Sequence, residues 1–176
     1  MWVARRHPGL LKERFHHAPD VEKWDTILMG VYTCLLLGMF VVSALDSGRY
    51  GWSSMPIGVR IVGWIGIGIA LAIVWWVMSV NPFASRWVRI QKDRGQEVIT
   101  VGPYRYVRHP MYVGSIISVI CIPMILGSWW GILPGASAGL IFVFRTALED
   151  RTLLDKLPGY QDYASRVRYR LLPGIW

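Results

Sequence analysis

Cysteine is scarce in this chain of 176 residues: there are two, Cys34 and Cys121, both inside apolar runs. Such a pair builds neither a disulfide framework nor a metal knuckle of paired spacing, so both are read as packing residues. Acidic residues are few as well, 11 Asp and Glu against 19 Lys and Arg, which leaves a formal net charge of +8. In a soluble protein that excess would suit nucleic acid. Here the basic residues flank apolar segments instead of forming one stripe, so no nucleic-acid partner is expected and anionic lipid headgroups are the natural counter-charge. Repeats, low-complexity stretches and lipidation motifs are missing too. Arg5, Arg6, Glu13, Asp20 and Asp25 all precede the first apolar run, which excludes a secretory signal and keeps the first span in the mature protein. His7, His16 and His17 lie in an amphiphilic leader without other ligand types, and no metal site is expected.

What the chain has in quantity is apolar sequence: 53% of residues are hydrophobic, more than a soluble domain usually carries. Thr26 to Leu45 and Ile61 to Val80 are each 20 residues without a charge. At about 1.5 Å per helical residue, each reaches roughly 30 Å, the thickness of the hydrocarbon core. From Pro110 to Phe144 run 35 uncharged residues, too many for one span, interrupted by Gly127, Ser128, Trp129, Trp130, Gly131, Pro134 and Gly135. The interruption predicts a tight hairpin of two shorter helices, because one long helix would leave freed backbone groups at mid-bilayer. Lys and Arg number five before the first span, two between the first and second, six in residues 81–110, none at the hairpin tip and six from Arg145 onward. By the positive-inside rule both termini and the 81–110 loop face the cytoplasm, which requires an even number of spans. The expectation is an all-α, multi-pass membrane bundle of four transmembrane helices: a cytoplasmic leader in residues 1–25, two spans within 26–80, and a core in 81–176.

Trp24, Trp52, Trp129 and Trp130 fall at the expected interfaces, as anchoring aromatics do. Gly131, Gly135 and Gly139, and in the second span Gly66 with Ala70 and Gly68 with Ala72, repeat every four residues. Small residues at that spacing let helix backbones approach, within the chain or across a dimer.

Chemistry-bearing residues begin after the second span. A polar stretch with the strand-like run Glu97-Val98-Ile99-Thr100-Val101 leads into Gly102-Pro103-Tyr104-Arg105-Tyr106-Val107-Arg108-His109-Pro110-Met111-Tyr112-Val113-Gly114. Gly102-Pro103 is a turn signal, and Pro110 suits the first position of a helix, where no amide donor is needed. His109 then stands at a helix entrance whose free amides and dipole favour an anionic or zwitterionic ligand. On spacing alone a second reading stands beside it, with Arg105, Arg108 and His109 as interfacial phosphate anchors. Further on, Arg145 and Glu149 are four apart and share one helix face, with Asp150 and Arg151 beside them, either as a surface ion pair or as part of a site. The tail holds Tyr160, Tyr163, Arg166, Arg168, Tyr169 and Arg170, a mixture that suits a membrane-surface anchor or a lid.

These motifs, G-x-Y-x-x-x-R-H-P-x-Y-x-G, an apolar hairpin, an Arg followed four residues later by Glu and another acid, and Y-x-x-Y near a basic C-terminus, resemble the isoprenylcysteine carboxyl methyltransferases and their phospholipid methyltransferase relatives. The likeness runs over residues 81–176. It implies methyl transfer from S-adenosyl-L-methionine, held in a cytoplasmic pocket, to a lipophilic small-molecule or prenylated acceptor that enters from the membrane lipid. It also implies that Gln96, Glu97, Val98, Ile99, Tyr104, His109, Pro110, Met111, Tyr112 and Glu149 surround the cofactor. Arg145 matches the family arginine assigned to the substrate carboxylate, which makes Arg145 and Glu149 the catalytic pair. Arg89 stands where the family offers a glutamine, and the acid pair is Glu-Asp in place of Glu-Glu. An amine acceptor, as in a phospholipid N-methyltransferase, would need a base, from Glu149 or His109; a thiol acceptor and a noncatalytic membrane subunit are the other readings.

Overall fold

The computed structural model describes residues 21–176. The leader before Val21, with His7, His16 and His17, lies outside the described residues. The described chain is helical. Helix α1, Lys23–Ser43, runs into a π-helical turn, Ala44–Tyr50, that ends at Gly51 with φ 63°. Helix α2, Ile57–Val80, starts after Pro56. Short 3-10 turns at Lys92–Arg94 and Gly102–Arg105 break the long connection to α3, Pro110–Leu126. Gly127, at φ 79°, closes α3 and starts the turn into α4, Ile132–Lys156, after which Gly159 leads into the short α5, Tyr160–Arg166. The hairpin expected from the Gly and Trp interruption is present, with its turn at residues 127–131, but only α3 is short: α4 runs 25 residues because it continues past the charge-free stretch through Arg145 to Lys156.

Among the described residues three helices are long and apolar enough to cross a membrane: α1 with its π-helical extension, α2 and α4. Helix α3 is apolar but has 17 residues, about 25 Å at 1.5 Å per residue, a little short of the hydrocarbon thickness. It packs chiefly between α2 and α4, while α1 lies against α4. Both outer helices leave large side chains such as Ile27, Leu37, Trp64 and Leu71 exposed, as helices bathed in lipid do.

The glycines do the packing. A methyl group on Gly66 of α2 would run into the Cys121 thiol of α3, and one on Gly135 of α4 into the Val119 carbonyl. One on Gly131 would strike the Ser43 hydroxyl of α1, whereas Gly68 faces open space. The stripes therefore serve contact within the chain at Gly66, Gly131 and Gly135.

Helix bounds differ from the charge-free windows in ways that matter. Asp25, counted with the leader, belongs to the first turn of α1 and is fully buried. Arg60 sits in the first turn of α2, and its Nε donates to the Ile125 carbonyl at the end of α3 at 3.2 Å. A polar side chain at a helix end that meets a partner there costs little, so charge alone misplaces the boundary. The run Glu97–Val101 forms no strand: among the described residues no strand lies beside it to pair with, and it continues as irregular chain.

Candidate active site

The connection between α2 and α3, the entrance of α3 and the last turns of α4 line an open-mouthed cavity. Gln96 to Ile99 form one wall. Tyr104, His109, Pro110, Met111 and Tyr112 form a second, and Glu149 closes it from α4. All ten residues expected around a cofactor thus line one space. Arg145 does not line it.

Two buried ion networks hold these walls. The first centres on Asp150, fully buried. Arg108 grips its carboxylate with two bonds, Nε to Oδ1 at 2.8 Å and Nη2 to Oδ2 at 2.7 Å. His109 Nε2 lies 3.2 Å from Oδ1, the Tyr160 hydroxyl donates to Oδ1 at 2.8 Å, and Arg170 Nε donates to Oδ2 at 2.9 Å. The Arg108 and His109 amides donate to the Tyr169 and Arg170 carbonyls at 3.0 and 2.9 Å, and Arg108 Nη1 donates to the Val167 carbonyl at 2.9 Å. One carboxylate therefore ties the α3 entrance, α4 and the C-terminal segment into a single wall. A buried charge survives only when paired and fully hydrogen-bonded in this way.

The second network centres on Arg145, also buried. Its Nε and Nη2 donate to Asp25 at 2.7 and 3.1 Å, and Nη2 donates to the Arg86 carbonyl at 2.6 Å. Its guanidinium carbon stands 5.1 Å from the centre of the Tyr112 ring. Asp25 Oδ2 also accepts from the Val88 amide at 2.8 Å, which anchors the connection between α2 and α3 to the start of α1. Arg145 thus touches a residue of the cavity wall, Tyr112, whose hydroxyl donates to Glu149. Tyr112 stacks on His109 with ring centres 5.7 Å apart, which fixes both rings in the wall.

Phenols complete the lining. The Asn81 side-chain amide donates to the Tyr104 hydroxyl at 2.6 Å, and the Tyr163 hydroxyl donates to the Tyr104 carbonyl at 2.8 Å. Burial pushes Tyr104, Tyr160 and Tyr163 above the ordinary phenol range, with the Asp150 charge adding to the shift of Tyr160. All three are neutral hydrogen-bonding groups at neutral pH. Sequence reasoning left Asn81 and Gln91 out of the site, offered Arg108 only as a donor beside His109, and offered Tyr160 and Tyr163 only within a lid or anchor. Arg108 carried a signal, next to His109 in the motif, but its partner is 42 residues away. Arg89, set aside because it departs from the family pattern, also lines the cavity.

Glu149 is half-buried, forms no ion pair among the described residues, and its one side-chain hydrogen bond comes from Tyr112. An unneutralised carboxylate at a cavity that also offers amides, phenols and apolar walls fits a zwitterionic or cationic ligand with a large apolar part. A family model described as phospholipid methyltransferase matches residues 58–157. The chain belongs to that family. The match takes in α2, which the motif likeness left aside, and stops near the end of α4, before the C-terminal segment. No curated protein matches the chain. Family membership makes the protein a membrane methyltransferase.

Proposed function

We propose that the protein transfers a methyl group from S-adenosyl-L-methionine to a lipophilic acceptor reached from the bilayer, at the cytoplasmic end of a four-span bundle in which α3 crosses with the others. The observation that carries this reading is the convergence of Gln96 to Ile99, Tyr104, His109 to Tyr112 and Glu149 on one cavity. The donor set fits the cofactor: Glu149 offers a carboxylate to a sulfonium, and the amide groups and apolar side chains of residues 96–99 suit a purine and ribose. Bound there, the cofactor supplies a methyl group already activated on sulfur, so transfer needs alignment and desolvation more than a strong base.

The charge around Tyr112 favours an amine as acceptor, as in a phospholipid headgroup. Arg145 is neutralised by Asp25, and Glu149 adds one negative charge beside them. A carboxylate acceptor would bring a negative charge that needs a cation of its own, and Arg145, the cation beside Tyr112, is already held by Asp25. A neutral amine adds none, and Glu149 is the carboxylate placed to take the proton that the nitrogen gives up. The carboxylate reading, of the isoprenylcysteine type, rests on the stack of Arg145 against Tyr112 and requires the guanidinium to turn from Asp25 toward the acceptor.

Calorimetric titration of the detergent-purified chain with S-adenosylmethionine or its demethylated product tests the cofactor site. Saturable binding, weakened at least about tenfold by Glu149→Gln (about 1.4 kcal/mol) and also weakened by His109→Ala, is the expected result. Arg145→Gln should leave cofactor affinity near that of the parent and lower turnover. Absence of binding by folded protein supplied with lipid, or equal affinity in all three variants, would remove this reading in favour of a noncatalytic subunit. Labelled methyl transfer to phosphatidylethanolamine against a prenylcysteine carboxylate then separates the two acceptors.

A further inference from the structure

The cavity end of the bundle carries a second, shallow depression between the Gly102–Arg105 turn and the chain from the end of α5 onward. Arg105, Arg166 and Arg168 line it, with Tyr106 and Tyr169, and all five are exposed. Among the described residues none of these three guanidinium groups has a carboxylate within ion-pair distance. Their one side-chain hydrogen bond is from Arg166 Nε to the Asp162 carbonyl, at 3.3 Å. The contrast with Arg108, Arg145 and Arg170 is plain, since each of those is held by Asp150 or Asp25. Three uncompensated cations converge on one concave surface.

The depression also has a fixed level relative to the bundle. The Tyr106 ring stands 6.4 Å from that of Trp76, in the last turns of α2. A methyl group on Gly102 would touch Trp76 and Val80, so the whole turn lies against the end of that helix. A Trp and Tyr pair at the end of a spanning helix marks the height of lipid headgroups. Val101, Tyr106 and Trp76 keep apolar surface open beside the cations, at 46%, 62% and 42% exposure. Cationic forks at headgroup height beside exposed apolar surface match a ligand that has both a phosphate and acyl chains.

We propose that this depression binds the headgroup phosphate of an anionic phospholipid, with Arg105, Arg166 and Arg168 as its ligands. The bound lipid would brace the outer side of the turn whose inner side, through Tyr104, faces the cofactor cavity. The site does not depend on which acceptor is methylated.

Native mass spectrometry of the full chain from micelles doped with phosphatidylglycerol or phosphatidylcholine tests the proposal. We expect phosphatidylglycerol to be retained in preference. The triple variant Arg105→Gln/Arg166→Gln/Arg168→Gln should lose that preference by about fivefold per arginine, equivalent to about 1 kcal/mol each. A control triple variant of exposed residues elsewhere, Arg49→Gln/Lys92→Gln/Arg151→Gln, should keep it. Equal retention of the two lipids, or equal loss in both triple variants, would overturn the site. Retention abolished by millimolar inorganic phosphate would overturn the lipid assignment and leave a free-anion site. Unchanged helicity and an unchanged unfolding midpoint in SDS for the first triple variant show that the fold is intact, so a loss of lipid is read as loss of the site.

Discussion

Asp150→Asn alters one atom of a fully buried side chain and forces a donor against donors. If the new amide nitrogen takes the Oδ2 position it faces Arg108 Nη2 and Arg170 Nε; if it takes the Oδ1 position it faces Arg108 Nε, His109 and Tyr160. Neither orientation satisfies the ring of donors, and Arg108, with its side chain 7% exposed, keeps its charge without a counter-charge. Breaking a buried pair by removing one partner costs roughly 3–5 kcal/mol. The Arg170 contact adds little, because its side chain is 31% exposed and water screens it. The expected loss is therefore about 3–4 kcal/mol, carried mainly by Arg108. Reversible unfolding in mixed micelles, with SDS as denaturant and helicity as readout, measures it. The double variant Arg108→Leu/Asp150→Asn should be less destabilised than the sum of the single changes by at least about 1.5 kcal/mol, because the stranded cation is gone. A loss below about 1 kcal/mol for Asp150→Asn, or additive single changes, would refute the view that this carboxylate holds the wall.

Other outcomes follow from packing and titration. Gly66→Ala would drive a methyl group into the Cys121 thiol at the α2 and α3 contact, and a loss of about 1–3 kcal/mol is expected by the same unfolding assay. Gly68→Ala, which meets open space, should be neutral or slightly stabilising and serves as its control. Because burial holds Tyr104, Tyr160 and Tyr163 above the ordinary phenol value, the folded chain keeps protons that the unfolded chain releases above about pH 10. Stability should be insensitive to these groups below that pH and fall as pH rises beyond it. Ultraviolet phenolate titration should find at least these three tyrosines ionising only on unfolding, and a full complement ionising in the native state near pH 10 would contradict the burial (about 10 being the free phenol value).

Much of the fold was written in one dimension. Charge-free runs bounded by Lys and Arg mark helices in a chain of this composition, since an apolar helix is what satisfies backbone groups in lipid. Gly127 and its neighbours marked the hairpin turn, and the run from Gly102 to Gly114 marked one wall of the cavity. The helix ends were less legible. Asp25 reads as leader because it is charged, and its place in α1 follows from a partner 120 residues away.

The sequence by itself determined that the chain is an apolar helical protein with its chemistry-bearing residues between Asn81 and Asp150. Local rules suffice for that: hydrophobic length, turn residues and motif spacing act over a few residues. Only the tertiary structure decided which charges are spent on architecture. Arg145, Arg108 and Asp150 look alike in the string, as polar residues near helix ends. In the fold, Arg145 is neutralised by Asp25 and Asp150 by Arg108, while Glu149, next in sequence to Asp150, faces the cavity. The reason is geometric. Adjacent residues on a helix point about 100° apart, so one acid turns into the bundle and its neighbour into the site, and pairing across helices depends on how they pack.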